Sequence, residues 1–218
     1  MALPEGLGII DTMIDFPRGE GNAVYRNITA ITKDAESQDF HMPAQYLFGD
    51  NIPEHAGDID PVAVTLGEMD RFGIEIGVCG VGHQDDPGDY GYRAVTEHPD
   101  RFVSMVSVDP NDGMDAVRRI VSVKERFGDK LRGVHFFPAG CNPAVPINDK
   151  KAYPIYAKCV ELGLPIFVCA GVPGPRVPMA SQRVELIDEV MYCLDSGRLV
   201  LGRLHPDLGP QRSLPIGN

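Results

Sequence analysis

The chain has 218 residues, 43% apolar and 23% charged. That suits one full globular domain or two small ones and excludes collagen-like, coiled-coil and wholly disordered chains. Twenty basic residues against 31 acidic ones give a formal charge of −11, which supplies no electrostatic basis for gripping nucleic acid or an anionic membrane. A bulk total still leaves room for a local basic pocket. The five cysteines (79, 141, 159, 169 and 193) are odd in number and show no C-x-x-C spacing, so neither a disulfide framework nor a structural zinc knuckle is expected. Most sit inside apolar runs, where a free thiol packs as a small hydrophobe. The opening Met1–Gly6 reads as no signal peptide. The longest apolar runs, such as 164–170, are far too short to span a bilayer, and the sequence reads as cytoplasmic.

Six apolar, β-branched runs predict strands at about 7–16, 74–81, 102–108, 131–137, 164–170 and 198–204. Near-continuous apolar runs suit strands buried on both faces of a parallel sheet. Helical patterns separate them. Asp60-Pro61 supplies an N-cap and a first-turn proline, Val62, Leu66, Met69 and Phe72 share one face, and Gly73 ends the helix. A shorter helix is expected over Tyr90–Glu97. Asp112 is expected to cap a helix with Val117, Ile120, Val121 and Lys124 in a stripe, closed by Gly128. Ile155, Tyr156, Cys159 and Val160 form the inner face of the next, stopped by Gly163. A last one is expected from Ser181, with Val184, Ile187, Val190, Met191 and Leu194 inward and Gly197 at its end.

Strand–helix alternation with short turns means right-handed βαβ units and an α/β fold. Both a TIM-barrel-like (β/α) sheet and an open doubly wound sheet fit. A closed barrel needs eight strands and roughly 250 residues, so the barrel version is incomplete, with about six strands and two open edges. Residues 1–205 read as a single β/α domain, with one long loop at 17–58 and an irregular tail at 206–218. In a barrel, that loop lies at the C-terminal rim of the strands, where active sites are built.

Several polar residues fall at strand ends. Asp11, Met13 and Asp15 are spaced to share one face of the first strand. Asp15 could be a metal ligand or general base, or could cap a turn. His135 ends the fourth strand and could transfer protons or sit as a satisfied core residue. Cys169 ends the fifth strand and could bind a soft metal or pack. His205 lies two residues beyond Arg203, past the sixth strand. Asp109-Pro110 reads as a helix-entry turn, and His83–Asp86 as a polar loop. No P-loop, G-x-G-x-x-G or G-x-S-x-G occurs. The glycine-rich Ala170–Arg176 carries two prolines that remove the N–H donors a phosphate cradle needs.

The order of these segments carries a family likeness. Ile9–Asp15 (IIDTMID), Arg101–Val103, Val108–Pro110, Gly133–Pro138 (GVHFFP), Tyr153–Tyr156 (YPIY), Leu164–Gly171 (LPIFVCAG) and Leu199–Gly202 together resemble the amidohydrolase-2 family. These are metal-dependent TIM-barrel hydrolases and decarboxylases related to aminocarboxymuconate-semialdehyde decarboxylase. The likeness covers about 7–205 and implies hydrolysis or decarboxylation of a small cyclic or carboxylated organic substrate, with zinc or manganese as cofactor. The family's first-strand His-x-His positions hold Met13 and Asp15, its fifth-strand His position holds Cys169, and its sixth-strand His falls near Arg203. Its last ligand, an Asp on an eighth strand, has no counterpart. The resemblance therefore implies Asp15, Cys169 and His205 as metal donors and Asp15, His135 and His205 as acid/base groups. Met is a very weak ligand and Arg none, so a relative that binds a small molecule or partner without chemistry is the competing expectation. Open sheet edges further predict a homo-oligomer.

Overall fold

Asp60 turns the chain into the first helix: its carboxylate accepts the Val62 N–H at 3.1 Å, Pro61 fills the first turn, and Gly73 closes the far end in a left-handed conformation. The computed structural model describes residues 8–17, 32, 60–82, 89–173, 177–194 and 199–202. Its elements are β1 (Ile9–Ile14), α1 (Pro61–Phe72), β2 (Ile74–Gly80), α2 (Tyr90–Glu97), β3 (Phe102–Val108), α3 (Met114–Phe127), β4 (Leu131–Phe136), α4 (Tyr153–Glu161), β5 (Ile166–Cys169), α5 (Glu185–Cys193) and β6 (Leu199–Gly202). The expected loop at 17–58 lies outside the described residues except at Pro17 and Thr32, and the tail at 206–218 lies wholly outside them.

Every neighbouring pair of strands is parallel and the spatial order follows the chain, β1 to β6. A sheet that winds one way, with a helix after each strand, is a segment of a β/α barrel. A doubly wound sheet reverses its order at a switch point, and no reversal occurs among the described strands. Five strands, β1–β5, make up this curled half-barrel. β6, four residues long like β5, adds a short strand at its edge by pairing Leu199–Gly202 with Ile166–Cys169, so the expected count of about six is met only by including this edge strand.

The main core lies between sheet and helices. Phe102, Val106, Leu131, Val134, Phe136, Ile166 and Val168 meet Met69 of α1, Ala94 of α2, Ile120 of α3 and Tyr156 of α4, all at 6% exposure or less. Burying each large apolar side chain contributes about 1.5–3 kcal/mol. A second small cluster of Val78, Met105 and Phe167 sits on the opposite, barrel-lumen face. Alternation sorts the strand residues between these two faces.

The helix faces needed three corrections. Phe72 ends α1 with 61% exposure rather than facing inward, and Thr65 takes a buried place beside Val62 and Met69. Asp112 does not cap α3. Asp109 instead accepts the Asn111 N–H at 2.8 Å and starts a 3₁₀ turn at Pro110–Asp112, and α3 follows from Gly113. The intervening turn shifts the helix start past Asp112. The expected helix from Ser181 begins as a 3₁₀ turn at Met179–Gln182, and α5 starts at Glu185 with only Val190 fully buried and Val184 exposed. That helix packs on the last strands of a sheet segment, where few elements surround it.

Candidate functional site

The register across β3, β4 and β5 places the lumen-facing residues. Met105 pairs with Gly133, Ser107 with His135, and His135 with Phe167. Each strand thus offers an apolar or small residue deep in the lumen and a polar one nearer its C-terminal end: Met105 then Ser107, Gly133 then His135, Phe167 then Cys169. Gly133 is required here by close approach, because a Cβ would stand 2.4 Å from Cε2 of Phe167. The Phe167 ring crosses that gap and forms the floor beneath His135.

The three polar side chains touch one another. His135 Nδ1 lies 3.3 Å from Ser107 Oγ, and Nε2 lies 3.4 Å from Cys169 Sγ. They grade from lumen to core: Ser107 is exposed, His135 half-buried and Cys169 only 1% exposed. Burial holds the His135 imidazole below its ordinary range and pushes the Cys169 thiol up to about 12, since a low-dielectric setting disfavours the charged form of each. Both shifts favour the neutral forms, and burial disfavours a free thiolate at Cys169.

Asp15 lies elsewhere. The β1–β2 register runs Asp11↔Gly77 and then Ile14↔Cys79, which puts one extra residue into β1. This bulge breaks the strict alternation expected for Asp11, Met13 and Asp15. Asp11 accepts the Met13 N–H at 2.9 Å, and Asp15 accepts the Phe16 N–H at 2.9 Å. Asp11, Met13, Ile14 and Asp15 then line a groove of about 330 Å³ against Val64, Thr65, Glu68, Met69 and Phe72 of α1. Ile14 and Phe16 on either side of Asp15 pack in the helix-side core, and Asp15 itself is exposed. Burial, with Asp89 and Asp15 adding repulsion, raises the Cys79 thiol to about 12.

Of the residues singled out in the sequence, the structure brings His135 and Cys169 together, and Asp15 lies exposed just past the end of β1. His205, Arg203 and His83–Asp86 lie outside the described residues. Among the described residues, no three His, Cys, Asp or Glu side chains converge to hold a metal ion. Among the described residues, Asp15 just past the end of β1 and Cys169 on β5 are not joined by a third such donor. Sequence reasoning missed Ser107. Its signal was a polar residue at the last lumen-facing step of β3, above Val103 and Met105.

Comparison with known proteins bears on this geometry. No curated protein matches the chain. Among solved structures, an uncharacterized TIM-barrel protein from Bordetella bronchiseptica is 20% identical with a TM-score of 0.57, covering 88% of this chain and 66% of that one. A 2,6-dihydroxybenzoate decarboxylase from Rhizobium is 12% identical, with a TM-score of 0.52 and coverage of 89% and 66%. A 4-oxalomesaconate hydratase from Rhodopseudomonas palustris is 14% identical, with a TM-score of 0.52 and coverage of 88% and 62%. At these identities the likeness is one of fold, and the chain spans just under two thirds of the length of each. A family model described as Amidohydrolase matches residues 10–207, and the chain belongs to the amidohydrolase family.

Proposed function

We propose that this chain carries the proton-transfer part of a hydrolase or carboxy-lyase site for a small cyclic or carboxylated organic substrate, with His135 as the acid/base group. The observation that supports it is the placement of a neutral, half-buried imidazole on the lumen face at the C-terminal end of β4, paired at both ring nitrogens. In β/α barrels that rim is where chemistry is done. A neutral imidazole takes a proton from water or substrate and returns it later, and a positioned acid/base group is worth about 10²–10⁴ in rate. Phe167 below and the paired neighbours limit water at the ring.

The related decarboxylase and hydratase set the first assay panel: hydroxybenzoates and unsaturated dicarboxylates, followed by CO₂ release and by loss of substrate absorbance. Turnover that falls at least about 100-fold in His135→Gln supports the reading. Turnover equal in the two proteins would remove His135 from the chemistry, and none on any substrate with or without added zinc or manganese favours the non-catalytic binding relative. Metal content after chelator-free purification is the companion measurement. A stoichiometric ion removed by Asp15→Ala would restore the metal-centred reading that the described donors do not support.

Two further parts of the reading concern surroundings. All five cysteines are unpaired, in keeping with a reducing compartment such as the cytoplasm. No helix among the described residues is long and apolar enough to cross a membrane. The open edge at β1 leaves Ile10 and Phe72 each 61% exposed, and we propose that copies of the chain associate there. Sedimentation velocity is expected to show a dimer or larger species that Ile10→Lys shifts toward monomer. A monomer at every concentration would remove this part.

A further inference from the structure

β3 carries two serines with different surroundings. Ser104 is fully buried on the helix side, and its hydroxyl donates to the Lys130 carbonyl at 3.0 Å. That bond is structural. Ser107 lies exposed on the lumen face near the C-terminal end of the same strand, and its Oγ stands 3.3 Å from His135 Nδ1. The register fixes this meeting, since Ser107 and His135 pair directly across β3 and β4. Nε2 turns the other way, to within 3.4 Å of the buried Cys169 sulfur, so Nδ1 is the nitrogen presented to Ser107. Free histidine prefers its proton on Nε2. A thiol is both a weak donor and a weak acceptor, so Cys169 does not reverse that preference, and Nδ1 is left as the acceptor for the Ser107 hydroxyl. Burial also favours the neutral, proton-accepting ring. A hydroxyl within reach of a neutral imidazole, whose far nitrogen meets a third group, is the arrangement of an activated nucleophile.

We infer that Ser107 is a nucleophile activated by His135, and that the pair cleaves small activated esters through an acyl-serine intermediate. The inference rests on the reading of His135 as the proton-transfer group and adds to it the residue that supplies the proton. The chemistry balances with water as the one further reactant. Ser107 Oγ attacks the ester carbonyl carbon, and its proton passes to His135 Nδ1. The carbon–oxygen bond to the leaving alcohol breaks, and Nδ1 gives the proton to that oxygen. Water then attacks the acyl-serine and passes a proton to Nδ1. The bond from the acyl carbon to Ser107 Oγ breaks, the carboxylic acid departs, and Nδ1 returns the proton to the serine. Nδ1 thus takes up and releases one proton in each half, while Nε2–H stays against sulfur and the buried thiol transfers nothing. The floor sets the size of the acyl group. Val78, Met105 and Phe167 fill the lumen beneath the pair at 8% exposure or less, which leaves no room there for a long chain, so the acyl group is short.

The experiment is covalent labelling of the full chain with a fluorophosphonate, which phosphonylates activated serines and leaves ordinary ones untouched. Peptide mass spectrometry reads the labelled site. The expected result is a label on Ser107 that forms at least about 100-fold more slowly in His135→Gln and is absent from that peptide in Ser107→Ala. p-Nitrophenyl acetate, an ester with a short acyl group, is expected to leave an acetyl group on Ser107 with a burst of nitrophenolate. Ser107 unlabelled by the fluorophosphonate in the wild type, or labelled equally fast in His135→Gln, overturns the inference. If His135→Gln does not fold, the wild-type labelling still decides, because a serine without a base does not react with the probe. The readout uses none of the hydroxybenzoates or dicarboxylates of the turnover assay, so the two readings fail separately. Turnover there that needs His135 but survives Ser107→Ala leaves the proton-transfer reading standing and overturns the nucleophile. A His135-dependent label in a protein with no turnover removes only the substrate class proposed above.

Discussion

Raising the pH above 9 is expected to unfold the protein within about two to three pH units. Cys79, Cys159 and Cys169 are all buried, and burial pushes each thiol from an ordinary value of 9.0 to about 12. Between those values the unfolded chain gives up three protons that the folded chain retains, so stability falls as pH rises. One pKa unit corresponds to 1.36 kcal/mol per group, and the three thiols together set a slope of about 4 kcal/mol per pH unit. Below pH 9 they contribute their full stabilisation, and it is lost progressively on the way to 12. Against a total stability of about 5–15 kcal/mol, that slope is decisive. Cys141 and Tyr156, also held protonated by burial, act in the same direction. Far-UV circular dichroism against pH checks it. Replacing Cys79, Cys159 and Cys169 together with Ala should move the alkaline midpoint upward and flatten the transition. An unchanged midpoint in that variant would show that the thiols do not control it.

The barrel-type order was legible in the sequence because each strand is apolar enough to be buried on both faces and each helix has a stripe. Phe102–Val108 and Tyr90–Glu97 were read with the bounds the structure shows, and Asp60 and Gly73 were read correctly as caps. What was not legible depended on one-residue events. The extra residue in β1 breaks the shared face expected for Asp11 and Asp15, and period-two counting cannot see a bulge before it occurs. Asp109 rather than Asp112 caps the turn after β3, because either Asp fits the local pattern and only the 3₁₀ turn selects between them. The His135–Cys169 contact joins residues 34 apart in the chain and exists only because β4 and β5 pair in parallel at one particular register. Ser107 was passed over for the same reason: a serine in an apolar strand says nothing until the neighbouring strand's register places an imidazole beside it.

Gly91→Ala is expected to be the most damaging small substitution, costing about 3 kcal/mol or more. Gly91 is the second residue of α2, where alanine is normally the best helix former, so local propensity predicts a gain. Packing reverses that sign. A Cβ on Gly91 would stand 1.8 Å from the Gly80 carbonyl oxygen, 2.9 Å from the Gly80 carbonyl carbon and 3.2 Å from Asp89 Oδ1. The first two are backbone atoms at the end of β2 and cannot swing aside as a side chain could. Overpacking a buried site typically costs 1–3 kcal/mol, and more when the backbone itself must move. The helix would have to lift from the sheet, and Asp89 would lose its hold on both the Tyr92 N–H, at 3.1 Å, and the Gly82 N–H. Those bonds tie the start of α2 to the loop leaving β2, just past the point where Gly80 pairs with Met105. Gly67→Ala is the matched control. It lies in the exposed middle of α1 with nothing within 4 Å of the added Cβ, so it should stabilise by about 0.5–1 kcal/mol. Urea titration of the two variants, with equal slopes and midpoints displaced in opposite directions, is the expected result. A Gly91→Ala midpoint equal to the wild type would mean that α2 does not pack on the β2 terminus as described.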